Sequence, residues 1–245
     1  IFWLAALLTV HFIGFRDNAF DTELAMQAAS EKEDWQEVLS LSRQVETEPT
    51  RLMVMHTNLA LFKLGLAGDQ QFKYPAGNSP QQTRGGVLPI QMVGPLFYYQ
   101  YGHLNYAYRW SMEEMVEYGM SNHTLKYAVL TSSLNGESAL AKKYNDVLKR
   151  TIFHRKWAEE RDGIIKDPGR AMHNPVLLNI LRLNAFNDVL DGDHSLLETF
   201  LLNHAAHSRG GNPELIELSI LANLQLKQPA RFWPRFFVYA STQPR

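Results

Sequence analysis

An all-α fold of stacked helical hairpins is predicted by three features of this 245-residue sequence. Beyond residue 16, apolar positions recur at helical spacing almost throughout, and no stretch shows sustained alternation with β-branched enrichment. The breaks between apolar runs read as helix ends, with Asp, Ser, Thr or Asn before a run and Gly or Pro after it. Two segments also match others of the chain at fixed offsets, the mark of a supersecondary unit used more than once.

The helix starts are legible in order. Asp17 or Asn18 caps a helix through about Ser30. Ser30-x-x-Glu33 has the capping-box pattern, and the helix it opens is expected to run to about Glu46. Thr50, after Pro49, starts a third helix that ends near Gly65–Gly68, and Ser121 caps another. Asn174-Pro175 and Asn212-Pro213 each place a capping side chain before a proline at the first helical position, where the missing N–H is harmless. These two starts lie 38 residues apart, and Leu177, Leu178, Ile180 and Leu183 align at that offset with Leu215, Ile216, Leu218 and Leu221. A second match has a period of 34: Gly102 with Gly136, and Ala107 with Ala141. Each pair marks a glycine turn followed by a small residue that faces the preceding helix.

Two stretches interrupt the array and are expected to be loops, 69–92 and 162–173. The first is rich in Gly, Pro and Gln and long for a connection inside a compact domain. Neither reads as an interdomain linker, so residues 16–245 form one domain. Ahead of it, Ile1 to Phe15 is nearly all apolar, interrupted only by Thr9, His11 and Gly14. Fifteen helical residues span about 22 Å against a bilayer core of about 30 Å. The segment is therefore expected to be the end of a transmembrane helix, with a buried first helix of the domain as the alternative. The acidic flank after it, Asp17, Asp21 and Glu23 against Arg16, places the domain on the extracytoplasmic, periplasmic side.

The resemblance these motifs carry is to tetratricopeptide repeats. Asp34-Trp35-Gln36-Glu37-Val38-Leu39, ending at Pro49, resembles the second helix of such a unit, and Thr57 to Gly65 resembles the first helix of the next. Ala107 and Ala141 match the alanine of that family's second helix, whereas the Trp and Leu-Gly of its first helix are missing around 102 and 136. The resemblance implies a repeat-like α-α superhelix over about two-thirds of the chain. The whole chain is also similar to the C-terminal region of an uncharacterised family of bacterial multi-pass membrane proteins, which implies topology rather than chemistry.

Composition narrows the function classes. The formal net charge is −1, so no whole-chain field recruits nucleic acid. Charge is uneven: residues 16–50 hold nine acids and three bases, while 227–245 holds four bases and no acid. With no cysteine, thiolate metal sites, disulfides and cysteine nucleophiles are excluded. There is no phosphate-cradling glycine loop, no HExxH, no GxSxG and no calcium loop, and no cofactor is expected. His204 and His207, with His194, Asp191 and Asp193 at the same hairpin's turn, have the right atoms for a metal but no spacing that forces convergence, and read as capping and surface groups. Glu113-Glu114 and Glu159-Glu160 read as exposed helix positions.

The densest feature is aromatic. Seven large rings lie between Phe97 and Trp110, more than one helix stripe buries. Tyr98, Tyr99, Tyr101, Arg109 and Trp110 are therefore the candidate binding residues, with wedging between helices as the structural alternative. The aromatic and basic run Arg231 to Phe237 reads as packing of the last hairpin. The expectation that follows is a non-catalytic protein- or peptide-binding domain on a membrane-anchored protein. Its competitors are an accessory domain of a membrane-embedded enzyme, such as a lipid-linked glycosyl transferase with the aromatic residues contacting glycan, and a stand-alone helical hydrolase.

Overall fold

Local chemistry sets the helix starts in the computed structural model, which describes residues 3, 4, 7, 9, 17–46, 48–77, 88–187, 197–207 and 212–242. Asp17 Oδ1 accepts from the amides of Ala19 and Phe20 and opens α1 (Asn18–Glu31). Asp34 Oδ1 accepts from Glu37 N and opens α2 (Trp35–Arg43). Thr50 accepts from Met53 N at the head of α3 (Arg51–Lys63), and its hydroxyl also donates to the Glu23 carboxylate of α1.

The expected capping box at Ser30 is not formed. Ser30 lies inside α1, fully buried, with Oγ 2.8 Å from His56 Nδ1 of α3. A buried hydroxyl beside a buried imidazole is spent on that partner, so Asp34 caps α2 instead.

The chain continues through α4 (Ala67–Gln70), a 3-10 turn at Gln71–Lys73, α5 (Leu88–Met92), α6 (Gly94–Gln100) and α7 (Leu104–Tyr118). Next come α8 (Asn122–Leu134), capped by a reciprocal Ser121–Thr124 box, then α9 (Ser138–Leu148) and α10 (Arg155–Lys166). After a 3-10 segment at Pro168–His173, α11 (Pro175–Asn187), α12 (Leu197–His207), α13 (Pro213–Gln225) and α14 (Pro229–Thr242) complete the order. Asn174 Oδ1 accepts from Val176 N and Leu177 N, and Asn212 Oδ1 from Glu214 N, as the matched starts predict. Every regular element among the described residues is helical.

Both expected loops are partly helical. Ala67–Gln70 and Leu88–Met92 bracket the first, because Ala67 and Ile90 are apolar enough to be buried. Helix α10 runs through the start of the second because Ile165 is 4% exposed and holds that turn against the core. Of the segment expected to end a membrane helix, only Trp3, Leu4, Leu7 and Thr9 are described; all four are helical and exposed. No helix among the described residues is long and apolar enough to cross a membrane.

Sequence neighbours pack as neighbours in space from α1 to α3 and from α6 to α10. The two matched glycines act alike. Gly102 (φ 83°) and Gly136 (φ 78°) both turn the chain in the left-handed region, where a Cβ is costly. A Cβ on Gly102 would also lie 2.5 Å from Leu183 Cβ, so glycine there admits α11 against the α6–α7 turn. Asn184 Nδ2 donates to Gly102 O across that contact.

The end of the chain does not simply extend the row. Leu221 of α13 is buried in one cluster with Met53, Ala60 and Leu61 of α3. Phe200 of α12 packs on Tyr98 and Tyr106 at 5.9 and 4.9 Å. Arg51 and Glu198, 147 residues apart, form a two-point ion pair with side chains 11% and 8% exposed. The last hairpins thus fold back on the third helix.

Ala107 and Ala141 are both fully buried, where each second helix crosses the one before it. Enlarging either to Leu should overpack the crossing and cost about 1–3 kcal/mol. Urea titration checks this: midpoints equal to the parent's in both variants would mean the crossings have room to spare.

Candidate functional site

The fold-back leaves a cleft between the two halves. Met55 and Phe62 of α3, Phe97 of α6, and Leu201, Leu202 and Ala205 of α12 line it, with Leu215, Leu218 and Ala222 of α13. The space enclosed behind its open mouth is about 60 Å³. Six polar side chains interrupt the apolar wall: Asn58, Gln71, Tyr101, His103, Glu198 and Gln225. This composition, apolar with a few oriented polar groups, is that of sites for small molecules and side chains.

Helices hold each wall in place. Helix α3 is buried around most of its circumference, with Leu52 to Thr57 and Leu59 to Leu61 all buried. The ion pair of Arg51 with Glu198 fixes the start of α3 to the start of α12, and Arg51 also donates to the carbonyl of Ala76. Across the far wall, Asn223 Nδ2 and Ser219 Oγ of α13 both donate to Ala206 O of α12. His103 sits edge-on to His204 at 4.6 Å, so His204, which the sequence reads as a capping or surface group, packs against another ring. His207 Nδ1 lies 2.6 Å from Asn203 O; His194, Asp191 and Asp193 lie outside the described residues. No group of three or more His, Asp or Glu converges among the described residues.

The five aromatic and basic candidates separate. Tyr98 and Tyr99 are core residues, 0% and 2% exposed. Tyr98 stacks on Tyr106 at 5.2 Å and lies 6.0 Å from Trp110, while Tyr99 meets Tyr127 edge-on at 5.7 Å. Trp110 is half-buried and packs toward the backbone of Gly94. Arg109, 38% exposed, pairs with Glu113 one turn on at 2.7 Å. Tyr101 alone of the five reaches the cleft, its ring 5.3 Å from Phe62. Burial pushes the hydroxyls of Tyr99, Tyr101 and Tyr127 above their ordinary range, so all three stay neutral.

A smaller polar recess shares the wall formed by Phe62, Ala67 and Leu218. There Lys63 Nζ donates to Asn179 Oδ1 at 3.2 Å, and Asn179 Nδ2 donates to Glu214. Burial lowers the Lys63 ammonium to about 8, against the opposing pull of Glu33 and Glu214. His56, fully buried against Phe97, is held neutral with its pKa lowered to about 3 by burial.

The leucines of α12 and α13 are legible in the sequence as helix faces, but nothing in their spacing distinguishes a core face from a cleft wall. Glu114 is a second such case. It was expected on the surface, yet it is 9% exposed on α7 and Oε1 has no partner among the described residues. A glutamate takes the same helical position in a sequence whether it faces water or a neighbouring helix.

Fold and cleft together define the described part of the chain as all-helical, with an apolar cleft between α3 and α6 on one side and α12 and α13 on the other. The chain belongs to the family of unknown function DUF6057, whose model matches residues 1–235. No curated protein and no solved structure matches it.

Burial raises the Glu114 carboxyl from its ordinary 4.5 to about 8. The folded state keeps a proton that the unfolded chain releases near 4.5, so this group favours folding most at low pH. Its contribution declines as pH rises from 4.5 through about 8 and is lost above that. Glu114→Gln should therefore match the parent near pH 5 and be the more stable protein near about pH 9. Urea midpoints across that range decide it; the same slope in both proteins would show that Glu114 ionises freely when folded.

Proposed function

We propose that the domain is a non-catalytic binding module whose cleft receives apolar side chains of a protein or peptide partner. One observation carries the reading: an apolar cleft enclosing about 60 Å³ behind an open mouth, framed by helices from both ends of the chain. Such a cleft presents Phe62, Leu202 and Leu218 as anchoring surface, while Asn58, Gln71 and Gln225 offer amides to a main chain. The amides carry no charge, which suits an apolar segment better than a strongly ionic one.

The helical repeat supports the same reading. The tetratricopeptide-like relation of the hairpins rests on Gly102 with Gly136 and on Ala107 with Ala141. Each glycine has positive φ and each alanine is fully buried. Helical hairpin arrays hold a binding surface rigid across several elements, which lowers the ordering cost of association.

Selection of displayed random peptides on the full chain tests the proposal. Enriched peptides should share an apolar anchor and bind in the micromolar range by fluorescence polarisation, on the order of 8 kcal/mol. Leu202→Trp and Leu218→Trp, which fill the cleft from opposite walls, should each weaken binding by about tenfold or more while keeping the helical circular dichroism. Undiminished binding in both variants, or enrichment of peptides without an apolar anchor, would rule the cleft out.

A further inference from the structure

The turn between α9 and α10 carries two adjacent large apolar side chains turned almost wholly to solvent. Ile152 and Phe153, adjacent in sequence, are each 88% exposed. Large apolar side chains are rarely left so far in water, and two together at a turn tip form a wedge. The turn does not let them fold back. Thr151 Oγ1 donates to Leu148 O and accepts from His154 N, and the amides of Arg150 and Thr151 donate to Val147 O and Leu148 O.

Both flanks are anchored as well. Leu148 is fully buried, and Asn145 Nδ2 donates to Ala158 O at 2.8 Å. On the other side, Trp157 lies between Lys126 and Arg161, whose charged groups sit 5.7 and 5.0 Å from its ring.

The charges nearest the wedge favour an anionic surface. Asp146 is engaged by Lys142 at 2.5 Å and Asp162 by Lys149 at 2.6 Å. Arg150, Arg155 and Lys156 are the exposed charges next to the two apolar tips, Arg155 with Nε donating to Lys149 O; the exposed Glu159 and Glu160 lie one turn further along α10, and the exposed Glu117 at the end of α7. Helix α8 runs antiparallel to α7 and α9, since Asn135 past its end meets Asn105 at the start of α7. The α7–α8 junction and the α9–α10 turn therefore share one end of the bundle. At that junction Val116 and Met120 are 84% and 72% exposed.

We propose that this end of the bundle is a membrane-contact surface, with Ile152 and Phe153 inserting among the lipids of an anionic bilayer and Arg150, Arg155 and Lys156 resting on the headgroups. An apolar tip ringed by bases satisfies both phases of a bilayer surface at once: hydrocarbon takes the tip and lipid phosphate takes the cations. An acidic protein without an apolar pocket would satisfy the bases but leave the wedge in water. This surface is independent of the cleft.

The absence of cysteine makes the test site-specific. Ile152→Cys places a single thiol at the tip of the full chain, and Ala139→Cys places one at the opposite end of the bundle. Each is labelled with the environment-sensitive fluorophore NBD and mixed with phosphatidylcholine vesicles, with or without phosphatidylglycerol. The tip label should brighten and shift to the blue on anionic vesicles, weakly on neutral ones and less in high salt, while the label at 139 stays unchanged.

In unlabelled protein, Ile152→Ser with Phe153→Ser should weaken co-sedimentation with anionic vesicles by about tenfold or more, at unchanged circular dichroism. A silent tip label, or co-sedimentation unaffected by the double variant, overturns the proposal. A tip label that responds to rising protein concentration without vesicles overturns it in favour of self-association.

Discussion

Helix α3 joins two of the apolar clusters that hold the molecule together. Its Leu52, Met55 and Leu59 belong to the central core with Phe97, Tyr98 and Tyr106, while its Met53, Ala60 and Leu61 belong to the core shared with α1, α2 and α13. One helix thus lends opposite faces to two clusters. A helix apolar on all sides is stable only when surrounded, and the surrounding helices come from both ends of the chain. Full burial of each large side chain contributes roughly 1.5–3 kcal/mol, so the fold-back of α12 and α13 is driven chiefly by covering α3 and the aromatic rings beside it.

The polar groups on that interface direct the fold-back rather than drive it. Arg51 with Glu198 is a nearly buried pair, and such pairs gain little over an apolar contact of similar shape, because two charges leave water to form them. Removing either partner strands the other, typically at about 3–5 kcal/mol, so the pair penalises any register in which α12 slides along α3. Ser30 with His56 and Thr50 with Glu23 act in the same sense between α1 and α3. Their positions explain why the cleft has fixed walls: the helices that line it are pinned at their starts, while their apolar sides meet only partially.

The cleft and the α9–α10 turn are two different ways of leaving apolar surface uncovered. In the cleft, leucines and phenylalanines of α3, α12 and α13 face one another across a gap too shaped to collapse, because each helix is already committed on its other side. At the turn, Ile152 and Phe153 have no facing element among the described residues, and the hydrogen bonds of Thr151 keep them outward. The first arrangement suits a partner that brings side chains. The second suits one that brings an apolar phase.

Helix positions, and most helix starts, follow from local sequence. Asp17, Thr50, Ser121, Asn174 and Asn212 cap as their side chains dictate, because a cap needs only the amides two or three residues ahead. The glycine turns at 102 and 136 and the small residues at 107 and 141 are likewise legible, since positive φ and close helix crossing each admit few residue types. Tertiary structure decided the rest. Ser30 has the pattern of a cap but belongs to His56, which lies 26 positions away and is invisible to a local reading. Tyr98 and Tyr99 became core while Tyr101, two residues on, reached the cleft, because Phe200 and Tyr127 arrive on one side of that segment and leave the other open. Glu114 was buried by the packing of its helix rather than by any feature of its neighbours in sequence. Periodicity states which side of a helix is apolar; only the arrival of distant helices settles whether that side becomes core, cleft wall or exposed surface.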